Sequence, residues 1–196
     1  MGILWLAIKT IGSLFVMACA LRAYLQVLRL PPQNPLSRLT FQMTDWIVLP
    51  LRRVLPGFGG FDWASFLAAL LLSLTLSILF YFFMTLGLLT DFPVEKPVRP
   101  FGWLVLLAVI WGLAWFVQLA VVILIVSVLM SWLSPMHPLK PVVDLLVSPF
   151  LLPFRRLLGG TRRSGFDLSP IGGFLMLQLC AAVLAQFESG LIKHLF

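Results

Sequence analysis

Few side chains in this 196-residue chain have the type and spacing to do chemistry. Its two histidines, His137 and His194, fall in separate segments, and no HExxH, CxxC or GxSxG pattern exists. Cys19 and Cys180 sit alone in apolar surroundings, without a disulfide or metal-ligand spacing. A nucleophile, a base and an orienting group are therefore not assembled by sequence, nor is a metal cluster. The reading is no enzyme, with no catalytic, metal-binding or cofactor-binding residue. Three smaller signals remain. Asp62 and Asp167 each follow a Phe and precede an apolar run, which makes them helix-start carboxylates, with a proton-linked or partner-binding role as the alternative. Gln118 and Gln178 lie in the middle of uncharged runs, where Gln either bonds a neighbouring helix or lines a permeation path. Arg52, Arg53, Arg155, Arg156, Arg162 and Arg163 form a basic belt.

The elements that must position these residues are apolar helices. The chain is 61% hydrophobic and 11% charged, with a mean hydropathy of +1.05. A soluble domain is roughly 45–50% apolar and about 25% charged. Residues 64–90 and 100–139 carry no Asp, Glu, Lys or Arg, and each exceeds the roughly 20 residues that cross about 30 Å of hydrocarbon. Residues 168–187 form a third such run, and a fourth span near the N-terminus contains Lys9 and Arg22. Those two cations are expected to snorkel toward opposite headgroup layers. An N-terminal targeting reading, with Ala18-Cys19-Ala20 as a cleavage site, would remove this helix, and its leading residues are too apolar for a charged n-region.

The spans are duplicated. Pro50-Leu51-Arg52-Arg53-Val54-Leu55 returns as Pro153-Phe154-Arg155-Arg156-Leu157-Leu158, each followed by Phe-Asp and an apolar run. The expected architecture is an all-α membrane protein with four transmembrane helices in two parallel repeats. The first repeat occupies 1–90, with spans near 3–25 and 64–90 and an interfacial amphipathic segment at 36–55. A non-cytoplasmic loop covers 91–99. The second repeat occupies 100–196, with spans near 101–133 and 168–188 and an interfacial segment at 139–158, bent or split by Pro149 and Pro153. Re-entrant linkers are the alternative to flat ones. Trp103 and Trp132 are the expected aromatic anchors of the third span.

Arg29, Arg38, Arg52 and Arg53 in one linker and Lys140, Arg155, Arg156, Arg162 and Arg163 in the other outweigh Lys9, Lys96, Arg99 and Lys193. Both linkers should then face the cytoplasm and both termini the opposite side. The net charge of +7 has this explanation and does not call for nucleic acid.

Several strings carry a resemblance. The first copy contains Asn34-Pro35-Leu36, Pro50-Leu51-Arg52-Arg53-Val54-Leu55-Pro56, Gly59-Gly60 and Phe61-Asp62. The second contains Ser131-Trp132, Pro149, the repeated Arg pair and Phe166-Asp167-Leu168-Ser169-Pro170-Ile171. In this order the chain resembles the YggT family of small integral membrane proteins in a two-repeat form, over nearly its whole length. Trp46, where the family often has Pro, and the Arg162-Arg163 insertion depart from the pattern. The resemblance implies a bacterial inner-membrane protein. Family members have been connected with membrane-complex or cofactor assembly, with cell division, and with osmotic tolerance and potassium uptake.

The residues favour an assembly or scaffold role, with an osmotic-stress or ion-uptake component as the alternative. Ser65, Ala69, Ser73 and Ser77 recur every fourth residue and form a helix-packing stripe, within the chain or toward a partner, and Gly173, Ala181 and Ala185 form a looser one. Gln118 and Gln178 are assigned to helix packing as well. The expected contacts are anionic membrane lipids along the arginine belt and a membrane-protein partner or a second copy.

Overall fold

The computed structural model describes residues 2–55, 62–89, 101–157 and 169–195, with the side chains of residues 157, 194 and 195 left aside. Every regular element among them is helical: α1 (Gly2–Val27), α2 (Pro35–Val54), α3 (Trp63–Thr85), α4 (Gly102–Leu133), α5 (Lys140–Leu157) and α6 (Ser169–Leu195). Four of these, α1, α3, α4 and α6, are long and apolar enough to cross a membrane.

Local chemistry explains where the helices begin and end. Asn34 caps α2, its side chain accepting from the Leu36 N–H at 3.0 Å, and Pro35 follows where a helix needs no donor. The run expected to continue to residue 90 stops at Thr85. Gly87 adopts φ 67° there, and the N–H groups of Gly87 and Leu88 return to the carbonyls of Met84 and Phe83, both at 3.0 Å. That left-handed cap closes α3. Helix α6 instead runs past the expected end at 188 to Leu195, with neither Pro nor a positive φ to interrupt it.

Of the two outcomes expected for the second linker, bent or split, α5 excludes the split: Pro149 and Pro153 lie inside one element of 18 residues. Pro149 cannot donate to the Leu145 carbonyl, and the Ser148 hydroxyl does so instead at 2.7 Å. One of the acceptors orphaned by proline is thus satisfied locally.

Two compact units emerge: residues 1–116 with 184–196, and residues 117–183. In the first, α1 packs along α3 and α2 packs on both. Its core gathers Val16, Cys19, Val48, Ala64, Ala68, Leu76, Leu107 and Trp111. Trp103 packs against this core, whereas Trp132, in the second unit, is largely exposed, so the two expected anchors are not equivalent. The second unit buries Leu119, Leu124, Leu146, Val147, Leu151 and Leu177. Gly172 and Gly173 let α6 approach α5: a Cβ on Gly172 would fall 2.5 Å from the Phe154 ring, and one on Gly173 would fall 3.0 Å from Leu151.

The buried face of α2 is polar where that of α5 is apolar. Ser37, Thr40, Thr44 and Val48 point inward on α2; at the same offset as the arginine cassette stand Lys140, Val143, Val147 and Leu151, of which the last three are buried. The first copy therefore needs a polar group opposite α2.

Candidate functional site

That group is Arg22. Its guanidinium, 3% exposed, enters from α1, and Nη1 donates to Thr44 Oγ1 at 2.8 Å and to Asp45 Oδ1 at 2.7 Å. The Phe41 ring lies 4.6 Å from its Cζ. Its Nε makes no hydrogen bond and sits 3.8 Å from Asp62 Oδ2, within ion-pair range. Sequence reasoning had Arg22 snorkelling to a headgroup layer; the structure buries it, because α2 and α3 supply the acceptors that water or lipid would otherwise provide.

Asp62 is the hub of this layer. Its carboxylate is 1% exposed and caps α3, accepting from the Ser65 N–H at 3.2 Å and from Ser65 Oγ at 2.6 Å. Arg52 Nη2, from α2, donates to Asp62 Oδ2 at 2.5 Å and to Gln26 Oε1 of α1 at 3.3 Å. Burial alone would raise the Asp62 carboxyl. The hydrogen bonds from Arg52 and Ser65, with the Arg52 charge, outweigh it and hold the group below the usual carboxylate range. Asp62 thus starts its helix and also ties α1, α2 and α3 together.

A second charged cluster lies toward the other end of α1. Lys9 pairs with Glu188 of α6 at 3.6 Å and sits 4.7 Å from the centre of the Trp111 ring. Trp111 Nε1 donates to Glu188 Oε1 at 2.8 Å, and Trp5, Phe80 and Trp115 ring the site with centroids 5.6–6.3 Å from Trp111. The lysine expected to snorkel has a protein carboxylate and an indole face as partners. In the second unit, Lys140 pairs with Asp144 at 2.9 Å across one helical turn, and Ser127 Oγ of α4 donates to the same carboxylate at 2.8 Å.

The remaining predicted residues divide sharply. Ser65, Ser73 and Ser77 are fully buried and Ala69 nearly so. Ser77 Oγ donates to the Leu104 carbonyl of α4 at 3.1 Å, and a Cβ on Gly112 of α4 would lie 3.4 Å from Ser73 Oγ, so α4 covers this stripe. Gln118 and Gln178 are exposed, and neither side chain makes a hydrogen bond among the described residues. Their sequence neighbours Leu119 and Leu177 are buried, and the glutamines themselves point outward, so the packing expected of them is not made among the described residues. Of the arginine belt, Arg53, Arg155 and Arg156 are exposed, while Arg52 is engaged with Asp62. Arg162, Arg163 and Asp167 lie outside the described residues.

Sequence reasoning gave Glu188 no role. The available signal was electrostatic: Glu188 is the lone acid of the last span, and an acid among apolar residues needs a cation.

The chain is 36% identical to an uncharacterized protein of Pseudomonas aeruginosa, covering 88% of this chain and 83% of the relative. It is 33% identical to the uncharacterized protein YggT of Escherichia coli K12, covering 90% and 86%. An uncharacterized protein of Vibrio alginolyticus is 29% identical over 87% of both chains. No solved structure gives a significant match. The CCB3/YggT family model matches residues 1–83 and 106–187, segments that fall on the two copies of the cassette, and the chain belongs to that family.

Proposed function

We propose that this protein is a non-enzymatic, multi-pass inner-membrane factor that supports the assembly or organisation of other envelope components. The observation that carries the reading is the outward placement of Gln118 and Gln178. A glutamine amide facing hydrocarbon loses its hydrogen bonds, and contact with a partner helix restores them, typically for about 1–2 kcal/mol in model helices. Both lie well inside helices able to span a bilayer, so a headgroup cannot serve them as readily as another helix.

The proposal includes an orientation. Helix α2 fits an interfacial role: Leu39, Met43 and Trp46 form one exposed apolar stripe, Arg38 lies off its edge, and Arg53 continues its line toward the helix end. The arginine cassettes then face the cytoplasm, the two repeats run parallel, and both termini lie on the other side.

The test is photocrosslinking in membranes, with a photoreactive residue placed at Gln118 or Gln178. The expected result is a reproducible heterologous membrane protein captured at one of these positions, with a control at buried Ser73 capturing only this chain. Capture of lipid alone at both glutamines would overturn the reading. The outward glutamines also suit a second reading, an ion-uptake component whose pathway forms between copies. There, Gln118→Leu would change potassium flux into proteoliposomes; under the assembly reading, purified protein conducts nothing.

A further inference from the structure

A cavity of about 340 Å³ opens between α1, α3 and α4, in the half of the first unit that holds the Arg22–Asp62 layer. Ala20, Ala23, Ala69 and Gly112 leave the space, and Phe66 and Phe116 wall it. No charged residue lines it, and its exposed lining residues, Val27, Leu113 and Phe66, open sideways onto the surface that spanning helices present to lipid. An occupant must therefore enter from the bilayer.

The cavity follows α1 from Ala20 to Val27, about 10 Å at 1.5 Å per residue, and apart from Tyr24 its walls are apolar side chains. A slot of this length, apolar and open toward the bilayer, suits the hydrocarbon chain of a lipid.

Charge indicates which chain-bearing molecule. Two residues beyond Val27, Arg29 closes α1 in the left-handed conformation, φ 53°, where glycine would be unstrained. Its side chain is exposed and forms no ion pair or hydrogen bond among the described residues. Both described acids of this end, Asp45 and Asp62, are already paired with Arg22 and Arg52. Arg29, two residues past the slot-lining Val27, thus keeps its positive charge uncompensated among the described residues.

We propose that this slot binds one acyl chain of an anionic phospholipid, with the headgroup phosphate held by Arg29. The site is distinct from the outward glutamines, and it stands or falls separately from the assembly reading.

The experiment uses the full chain in phosphatidylcholine vesicles doped with a phosphatidylglycerol that carries a diazirine on its acyl chain. After irradiation, labelled positions are mapped by mass spectrometry. Labels should concentrate on residues 20–27 and 109–116, and unlabelled phosphatidylglycerol should compete where phosphatidylcholine does not. Arg29→Gln, a surface change, should lower slot labelling about fivefold, the effect of one interfacial cation. Ala20→Phe should fill the slot and remove those labels while the thermal melt followed by circular dichroism is kept. Labelling spread evenly over Ile3, Leu71 and Ile171 would overturn the proposal. So would equal labelling by a phosphatidylcholine probe, or an unlabelled slot in a chain that native mass spectrometry finds as a dimer.

Discussion

Arg22 and Asp62 show how much the meaning of a charged residue depends on what the fold places beside it. Removing one member of a buried pair strands the other, which typically costs about 3–5 kcal/mol, whereas replacing both with apolar groups can be nearly neutral. Asp62→Ala leaves Arg22 without one of its two carboxylates and α3 without its cap, so it should be among the most destabilising single changes in the first unit. The pH dependence has a definite sign. The folded-state carboxyl of Asp62 lies below its ordinary value of 3.8, so its contribution is complete above that pH and is lost as pH falls through the lowered folded value. Thermal unfolding in detergent should therefore show an acid-side decline beginning below about pH 4 that Asp62→Asn lacks. A flat acid limb in the parent protein would contradict this. Glu188→Gln should likewise be worse than the combined Lys9→Met, Glu188→Leu replacement, a non-additivity that a double-mutant melt measures directly.

At the scale of helices, most of the fold was legible and most of the site was not, for one reason. An apolar run of 20 or more residues announces itself through composition, which is a local property, and α1, α3, α4 and α6 follow from it. Helix ends were readable where a residue acts on its own neighbours, as Asp62 does, and unreadable where a backbone angle decides, as at Gly87. Pro149 misled because its remedy is the side chain of the preceding residue, Ser148. The Arg22 layer joins residues 22, 45, 52 and 62 on three helices, and periodicity cannot say which polar faces will meet. The α5–α6 contact in the second unit offers a clean test of packing at this scale. Gly172→Ala places a methyl against the Phe154 ring and should destabilise that unit by about 1–3 kcal/mol. Phe154→Leu should recover part of the loss when the two are combined, read as coupling in a double-mutant cycle.

For the whole molecule, the two charged clusters on α1 constrain how the chain sits in a bilayer. Lys9 and Arg22 are thirteen residues apart, about 20 Å along a helix, while the hydrocarbon layer is about 30 Å thick. Both clusters reach headgroups only if the two side chains extend toward opposite ends or the bilayer thins, and each already has its counter-charges supplied by the protein. In the proposed orientation, which rests on the excess of arginine in the two linkers, the Arg22 end is the cytoplasmic one. Replacing Cys19 and Cys180 by Ser and Ala and then placing single cysteines at Arg53 and at Lys96 turns this into a measurement. In intact spheroplasts an impermeant thiol reagent should label the cysteine at 96 and leave the one at 53 untouched until the membrane is opened. The reverse pattern would invert the orientation and put Arg29 and its lipid slot in the outer leaflet. Equal labelling of both would mean dual insertion, which the bias of nine linker cations against the four assigned to the opposite side argues against.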